Sequence, residues 1–272
     1  MPELPEVETV IRSLRPLIQG LKSQSSDLLF GPILRNADNS ILRELEDRVI
    51  LGLRRRGKMI LIDCAGNRSL LIHLKMTGQL FMTSRREPVD KHTHFILRFK
   101  GRGRELRFRD VRKFGFVRCL GTSEADGCSE LAGLGPEPLD LDFRSFQSLL
   151  KGRRGRLKPL LLNQKVIAGI GNIYADEILF RARLNPRAPV QNLKVKEIRR
   201  LWLAMRRILR EAITLRGSSI RDFIDSQGKE GGYQDRHLAY GREAEPCPRC
   251  GRKIARIRLA GRSTYYCPRC QR

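Results

Sequence analysis

The spacing of apolar residues predicts one helix followed by a series of short strands. Five apolar residues near the amino terminus recur at helical spacing. They are Val7, Val10, Ile11, Leu14 and Ile18. From about residue 28 to 120 the pattern changes to short β-rich runs separated by Gly, Asn and Asp, as expected of a sandwich or barrel. The clearest of these runs cover 59–62, 70–74, 95–99 and 114–117.

Helical patterns return in the second half of the chain. The stretch 121–141, which contains Gly-Pro-Glu-Pro, is interpreted as a linker. The helical patterns after it cover about 142–151, 158–164, 173–183 and 194–215. The segment 225–242 is polar and contains glycines, and long irregular stretches in compact proteins are often functional lids. We therefore predict an α+β multidomain protein with domains at 1–130, 131–237 and 238–272.

The charge balance indicates a polyanionic partner. The 272 residues include 54 Lys and Arg against 29 Asp and Glu, for a net charge of +25. Nucleic acid is the first expectation, because a basic surface gains affinity by releasing the counterions condensed on phosphates. A membrane surface is the alternative, but no basic amphipathic helix with an aromatic face is evident. No apolar run approaches the roughly 20 residues that span a bilayer. The acidic, Pro-containing amino terminus is unlike a secretory signal. The odd count of seven cysteines, four of them in two tight pairs, favours a reducing cytoplasm over a disulfide framework.

Much of the positive charge falls in four clusters. Eight cations lie between Arg98 and Lys113, and eight more lie in the last 30 residues. Smaller clusters cover 54–58 and 151–158. A solvated surface is a reasonable explanation for any one of these cations, but it is a weak explanation for the whole set. Because the clusters are spread over the predicted β, helical and C-terminal parts, we expect a nucleic-acid groove between domains.

The strongest local signal is a pair of identical Cys-Pro-Arg-Cys tetrads. Their four cysteines are Cys247, Cys250, Cys267 and Cys270, with 16 residues between the pairs. This spacing suits a tetrahedral zinc ion on a hairpin, and four thiolates fill its coordination shell, so the zinc is expected to be structural. A redox or disulfide pair is the alternative, but nothing βαβ-like surrounds the motifs. Cys64, Cys119 and Cys128 are interpreted as ordinary small side chains.

Two glycines and Asn172 come directly before a predicted helix in the segment 168–177. A helix start of this kind can present backbone N–H groups to a phosphate. A plain tight turn with an asparagine cap fits the spacing equally well.

Pro2, followed by Glu3, is a candidate nucleophile. If Met1 is removed, Pro2 carries a secondary amine, and an α-amino group has an unperturbed pKa of about 7.7–8.0. Much of such an amine is unprotonated at neutral pH, as a Schiff-base nucleophile must be. Glu3 is close enough for proton transfer. The alternative is an ordinary helix cap, in which the same dipeptide would have no catalytic role.

Several separated motifs together resemble the bacterial formamidopyrimidine-DNA glycosylase family across essentially the whole chain. The matching stretches lie at 1–9, 55–58, 73–78, 110–115, 134–138, 169–177 and 240–242, and in the four-cysteine finger. The resemblance implies an N-terminal helix on a two-layer β-sandwich, a helix–two-turn–helix domain with a lesion-capping loop, and a C-terminal zinc ribbon. Leu4 favours the purine-repairing branch, because the related endonuclease VIII branch usually has Gly there.

The resemblance also implies catalytic roles. Pro2 would attack C1′ of the damaged nucleotide and displace the base, while Glu3 handles protons at the sugar ring. The resulting imine would lead to β- and then δ-elimination. Lys58 and Arg262 would donate protons in elimination, although each could instead be an ordinary phosphate contact or a solvated charge.

A further set of residues is implied in DNA binding. Met76, Arg112 and Phe114 would fill the void left by the extruded nucleotide, and core packing is the alternative for Met76 and Phe114. The other implied DNA contacts are His92, Arg153, Lys158, Asn172 and Arg262. For His73, a role as a hydrogen-bonded strand residue fits as well as a DNA contact. Lys75 departs from the family, which often has Gly or Arg at this position.

The expected activity is therefore that of a bifunctional DNA glycosylase and AP lyase. It would remove oxidised purines, such as 8-oxoguanine and formamidopyrimidines, from damaged double-stranded DNA, as a monomer with one structural zinc. Two alternatives stay open: a pyrimidine-preferring glycosylase of the endonuclease VIII type, and a non-catalytic zinc-ribbon binder of damaged DNA. An unprocessed Met1 would block the nucleophile and favour the binder.

Overall fold

The amino-terminal helix α1 spans Leu4–Ile18 and buries all five apolar positions of the predicted stripe. Pro5 lies in its first turn, where a missing N–H costs no helical hydrogen bond. The structure, a computed structural model, describes residues 1–36, 38–220 and 223–272.

Two antiparallel four-stranded sheets follow α1. Their strands are β1 (Ser23–Leu28), β2 (Ile50–Arg56), β3 (Met59–Cys64), β4 (Arg68–His73), β5 (Gly78–Ser84), β6 (Thr93–Phe99), β7 (Arg104–Asp110) and β8 (Phe116–Gly121). One sheet has the order β1-β6-β7-β5 and the other the order β2-β3-β4-β8.

A single hydrophobic core joins α1 to both sheets. Val10 of α1, Ile62 of β3, Val117 of β8, Phe95 of β6 and Phe108 of β7 belong to the same buried cluster. Burying each such side chain contributes about 1.5–3 kcal/mol, so the inward-facing residues decide which faces of the sheets meet. The two-layer β-sandwich with an N-terminal helix is thereby confirmed.

The apolar run 114–117 is only partly a strand. β8 begins at Phe116, whereas Phe114 is exposed and precedes it in a loop. Gly115 donates its N–H to the Asp110 carboxylate at 2.7 Å, which takes this backbone out of the sheet. The prediction of a strand from residue 114 was therefore wrong by two residues.

Four helices and a hairpin make up the regular α- and β-structure described beyond residue 133. They are α2 (Phe143–Leu150), α3 (Leu157–Leu162), α4 (Asn172–Ala182), α5 (Val195–Thr214), β9 (Ala255–Leu259) and β10 (Arg262–Tyr266). Each helix begins and ends within two residues of its predicted bounds. α5 buries one apolar stripe that includes Leu201, Met205 and Ile208. No helix among the described residues is both long and apolar enough to cross a membrane.

The chain divides into two contact units. The first unit comprises Met1–Ala132 and Arg216–Gly232, and the second comprises Gly133–Leu215 and Tyr233–Arg272. The predicted capping loop at 225–242 therefore contributes residues to both units. The three predicted domain boundaries stay a prediction.

Candidate active site and nucleic-acid interface

The candidate nucleophile lies at a tightly held helix start in the first unit. Pro2 is buried, and Glu3, the N-cap residue of α1, is only 2% exposed. The Glu3 backbone N–H donates to the Glu6 carboxylate at 2.8 Å. The backbone of Pro2-Glu3 is therefore fixed directly beside the first turn of α1.

Glu6 also holds a second segment of the same unit. Its carboxylate accepts the N–H of Ser218 at 2.7 Å. Gly217 has φ +77°, and a Cβ there would lie 2.6 Å from the Glu6 Oε1 atom. Both the backbone conformation and the close approach therefore require glycine. One buried carboxylate thus joins the segment after α5 to the start of α1.

Lys58 lies on the β2–β3 hairpin, which α1 holds from one side. Arg55 pairs with Glu8 of α1 at 3.1 Å and donates to the Gly57 carbonyl at 3.0 Å. Burial acts to raise the pKa of Glu8, but Arg12 and Arg55 hold that pKa below its usual value. The turn that contains the buried Lys58 is therefore anchored to α1, whose first residue directly follows Pro2 and Glu3.

His73 is a strand residue kept neutral by its surroundings. It ends β4, and its Nδ1 accepts the backbone N–H of Lys75 at 2.9 Å. Burial, together with the nearby charges of Lys75 and Lys58, lowers the pKa of His73 to about 3. The imidazole of His73 is therefore neutral at physiological pH.

Asp110 organises the two turns that carry the predicted void-filling residues. Its buried carboxylate accepts hydrogen bonds from the Thr77 hydroxyl at 2.5 Å, the Gly115 N–H at 2.7 Å and the Arg112 N–H at 3.2 Å. The backbone N–H of Asp110 donates to the His92 carbonyl at 2.9 Å. One side chain therefore holds the turn 74–78 against the loop 111–115.

These two turns bring the predicted wedge residues to the surface. Phe114 is 51% exposed and Met76 is 38% exposed, so neither is a core side chain. The Arg112 guanidinium carbon lies 4.7 Å from the centre of the Phe114 ring. Exposed apolar side chains on a fixed loop, next to an arginine, are suited to insertion into a nucleic-acid duplex.

His92 and Arg153, two further predicted DNA contacts, lie in different units. His92 is half-buried, and its N–H donates to Asp90 at 2.9 Å just before β6. Arg153 is exposed after α2 and donates to the Leu149 carbonyl at 2.8 Å.

The glycine-containing turn before α4 does not use an asparagine cap. Gly171 is the N-cap of α4, and Asn172 is the first helical residue. The Asn172 side chain instead donates to the Ser263 carbonyl at 3.0 Å. The alternative of a plain Asn-capped turn is therefore wrong, and Asn172 lies beside the β9–β10 hairpin.

Lys158 is buried beneath that hairpin. Its ammonium pairs with Asp176 of α4 at 2.7 Å, and both side chains are at most 1% exposed. It also donates to the Ser263 carbonyl and the Thr264 hydroxyl, each at 2.9 Å. Burial raises the pKa of Asp176 to about 7, against the opposing attraction of Lys158. The structure thus places Lys158 inside the protein, whereas the resemblance implied a contact with DNA.

Glu177, the next residue on α4, fixes a different backbone segment. Its carboxylate accepts the N–H groups of Leu238 at 3.0 Å, Ala239 at 2.9 Å and Tyr240 at 2.8 Å. Burial raises the pKa of Glu177, although these three hydrogen bonds act to lower it. The start of the Tyr-Gly-Arg motif at 240–242 is therefore held by one buried carboxylate.

The hairpin carries Arg262 at its exposed tip. Arg262 is the first residue of β10 and follows Gly261, whose φ is +75°. Arg258 and Arg256 are also exposed on β9, although Arg256 pairs with Glu243 at 3.1 Å. The hairpin therefore presents several cations to solvent.

The four predicted cysteine ligands come together as a metal site. Their sulfur atoms all lie within 4.8 Å of one another. The Cys247–Cys270 sulfur distance is 4.0 Å and the Cys250–Cys267 distance is 3.5 Å. A tetrahedral zinc site with Zn–S bonds of about 2.3 Å has sulfur–sulfur edges of about 3.8 Å, between these two values. The donor set and spacing therefore fit one structural zinc ion.

Sequence reasoning missed the buried acids that position the predicted residues. Glu6, Asp110, Asp176 and Glu177 are each at most 1% exposed. Asp176 and Glu177 were visible as an acidic pair flanked by the apolar residues of a mostly apolar helix, which is a usable signal of buried polar contacts. Their partners lie up to 89 residues away in the chain, so the pattern alone did not identify them.

Three family models match the chain in the order of its parts. The formamidopyrimidine-DNA glycosylase N-terminal domain matches residues 1–117, the formamidopyrimidine-DNA glycosylase H2TH domain matches 134–224, and the zinc finger found in FPG and IleRS matches 244–272. The helix–two-turn–helix and zinc-ribbon parts of the predicted fold are thereby confirmed.

Similarity extends over full-length relatives. The formamidopyrimidine-DNA glycosylase of Pelotomaculum thermopropionicum is 46% identical over 275 residues, covering 100% of this chain and 99% of the relative. The structure of wild-type Lactococcus lactis Fpg (MutM) in complex with DNA containing N7-benzyl-Fapy-dG has a TM-score of 0.93 at 36% identity, covering 100% of both chains. A complex of the same protein with DNA containing an oxidised pyrimidine has a TM-score of 0.92 at 34% identity, also covering 100% of both chains. This chain therefore belongs to the formamidopyrimidine-DNA glycosylase family.

Proposed function

We propose that this chain is a bifunctional DNA glycosylase and AP lyase that removes oxidised purines during base excision repair. The observation that carries the proposal is the Pro2-Glu3 dipeptide, held at the start of α1 in a chain that matches the family from end to end. The family explains the lesion class, and the helix start supplies the candidate nucleophile. A non-catalytic binder would not need a fixed amine and carboxylate at this position.

The first chemical step uses Pro2 as the nucleophile after removal of Met1. Its nitrogen lone pair forms a bond to C1′ while the bond from C1′ to the base breaks, and the base leaves with the proton that the Pro2 nitrogen gives up. Glu3 protonates the sugar ring oxygen as the ring opens to a cationic imine. The α1 N-terminus and the Glu3–Glu6 contact restrict the backbone, which lowers the entropic cost of aligning these groups.

The second stage breaks the strand. The cationic imine withdraws electrons, so loss of a proton from C2′ expels the 3′ phosphate, and a second elimination expels the 5′ phosphate. Lys58 and Arg262 supply protons or stabilise the phosphate charge in these steps. The burial of Lys58 beside a neutral His73 strengthens its electrostatic effect.

Access to C1′ requires the damaged nucleotide to leave the duplex. Met76 and Phe114 occupy the space left in the stack, and Arg112 faces the base that has lost its partner. The exposure of all three on turns held by Asp110 supports this assignment. His92, Arg153 and Asn172 contact the DNA backbone.

Damaged double-stranded DNA is the proposed substrate, and a single chain is the proposed active form. Each assigned catalytic and DNA-contact residue is present in one chain, so no second copy is needed to complete the site. Four metal-binding thiolates suit a reducing compartment, which supports action in the bacterial cytoplasm.

Borohydride trapping on three duplexes tests the proposal. We expect covalent adducts with DNA containing 8-oxoguanine or an abasic site, and weaker trapping with an oxidised pyrimidine. Glu3→Gln should lose trapping on 8-oxoguanine but keep it on the abasic site, because its role is proton transfer and not attack. The exposed Glu46→Gln is the matched control and should behave as wild type. Stronger trapping on the oxidised pyrimidine would favour the endonuclease VIII type, and no adduct with any duplex would favour the binder.

A further inference from the structure

A buried ion pair in the second unit forms hydrogen bonds with β10, the strand that begins with Arg262. Lys158 comes from α3 and Asp176 from α4, and both are essentially inaccessible to solvent. Lys158 donates to the Ser263 carbonyl and to the Thr264 hydroxyl, while the Asp176 carboxylate accepts the Tyr265 N–H at 3.0 Å. The pair therefore contacts three consecutive residues directly after Arg262.

These contacts fix position along the strand. They engage a carbonyl, a hydroxyl and an N–H on successive residues, so a shift of β10 by one residue would break all of them. Asn172 adds a fourth hydrogen bond to the Ser263 carbonyl from the start of α4. Four hydrogen bonds thus set where the backbone of β10 lies relative to α3 and α4.

Stability alone is a poor explanation for this arrangement. Taking two charges out of water costs several kcal/mol per ion, and a well-packed apolar pair of similar volume is often as stable or more stable. An apolar pair, however, would not distinguish one register of β10 from another. A charged pair with directional hydrogen bonds does distinguish them, and the residue whose position it controls most directly is Arg262.

We propose that Lys158 and Asp176 are positioning residues that set the location of Arg262 for phosphate binding and elimination. This role replaces a direct contact between Lys158 and DNA. The inference rests on the proposed function for the role of Arg262. It adds two residues, one on α3 and one on α4, that set the position of this arginine.

A double-mutant cycle on strand cleavage at an abasic site tests this inference. The variants are Lys158→Met with Asp176→Leu, which replaces the buried pair by apolar side chains, and Arg262→Ala, each alone and combined. Because small misplacements of a catalytic group can cost about 100-fold, we expect the pair replacement to slow elimination by roughly 10- to 100-fold. In the Arg262→Ala background the same replacement should cause no further loss. The exposed Lys165→Met is the matched control and should leave the rate unchanged.

Independent losses that multiply in the combined variant would overturn the proposal, as expected if Lys158 contacts DNA itself. An Arg262→Ala variant with the wild-type elimination rate would also overturn the proposal. Glycosylase activity on 8-oxoguanine, measured separately, then tests the proposed function. Zinc content and thermal unfolding are measured in every variant. If the pair replacement unfolds the hairpin, Thr264→Val removes only one accepting hydroxyl, and its smaller loss should likewise vanish in the Arg262→Ala background.

Discussion

His73 shows how one residue combines strand geometry with electrostatics. Its Nδ1 is occupied as an acceptor by the Lys75 N–H, so protonation of the ring would break a hydrogen bond as well as add charge beside two lysines. The sequence alone allowed either a DNA contact or a strand residue at this position. The structure confirms that His73 is a hydrogen-bonded strand residue, because it pairs with Met59 in the β3–β4 ladder.

The low pKa of His73 predicts a specific pH dependence. The folded pKa of about 3 lies below the unfolded value near 6.5, so between these pH values the unfolded chain binds more protons. The contribution to stability is therefore present above pH about 6.5 and is lost as the pH falls towards 3. Imidazole NMR should show His73 neutral at pH 5, and His73→Gln should reduce the loss of unfolding free energy between pH 6.5 and 4.5. A ring that titrates near pH 6.5 in the folded protein would contradict this account.

The turns beside Asp110 show what the sequence could and could not predict at the level of elements. The β-rich pattern predicted β3, β4 and β6, because apolar residues facing a core leave a periodic signal. It missed β1, which spans Ser23–Leu28 and precedes the predicted β-rich region, because that strand is mostly polar. The same pattern extended β8 to Phe114, since this exposed side chain is as apolar as a core residue. Only the hydrogen bonds of Asp110 reveal that residues 111–115 form a separate loop.

This loop predicts a selective loss of function. Phe114→Ala should impair excision of 8-oxoguanine from duplex DNA by more than it impairs strand cleavage at a pre-formed abasic site. The reason is that opening the helix and holding it open matters most while the base is still attached. Val111→Ala, an exposed apolar neighbour on the same loop, is the control and should affect neither reaction strongly. Single-turnover rates on the two substrates provide the measurement, and equal losses on both would argue against a wedge.

The zinc ribbon is an element whose ligands the sequence predicted in full. The two Cys-Pro-Arg-Cys tetrads suffice because metal-ligand spacing is local, whereas the buried contacts of α4 with the hairpin are long-range. The ribbon has only a small apolar cluster, in which Cys247, Ile254 and Cys267 pack with Phe180 of α4. Such a small core depends on its metal for order.

Removal of one ligand should therefore separate binding from folding. Cys250→Ser should release zinc and weaken DNA binding, because the hairpin that carries Arg262 loses its fixed shape. The β-sandwich should stay folded, since its core shares no residue with the ribbon cluster. Metal analysis, circular dichroism and DNA titration test these points, with Cys128→Ser as the control for loss of a thiol elsewhere. Full DNA affinity in a folded, metal-free variant would contradict a DNA-binding role for the ribbon.

At the scale of the whole molecule, the net charge of +25 is the property that the sequence predicts most directly. Charge determines the class of partner without reference to the fold, which is why nucleic acid was the first expectation. The chemistry could not be predicted from charge. The backbone segments that carry the candidate site residues are held by a few buried acids, and these acids are a small part of the total charge.

Binding should accordingly depend steeply on salt. The logarithm of the association constant should fall linearly with the logarithm of salt concentration, with a slope of about −0.9 for each phosphate neutralised. Arg153→Gln should make the slope shallower by about one such step, because it removes one proposed phosphate contact. Fluorescence anisotropy on an undamaged duplex measures this directly. A nearly flat dependence would contradict a binding surface dominated by phosphate contacts.

The central claim is that the Pro2 amine attacks the damaged nucleotide, and peptide mapping of the borohydride-trapped adduct tests it most directly. The protein is reacted with 8-oxoguanine duplex under borohydride and digested, and the cross-linked peptide is sequenced by mass spectrometry. We predict that the peptide begins at Pro2, without Met1, and that the cross-link lies on the Pro2 nitrogen. A cross-link on Lys58 or another internal lysine, in a chain that still carries Met1, would contradict the mechanism even if the protein removed the damaged base.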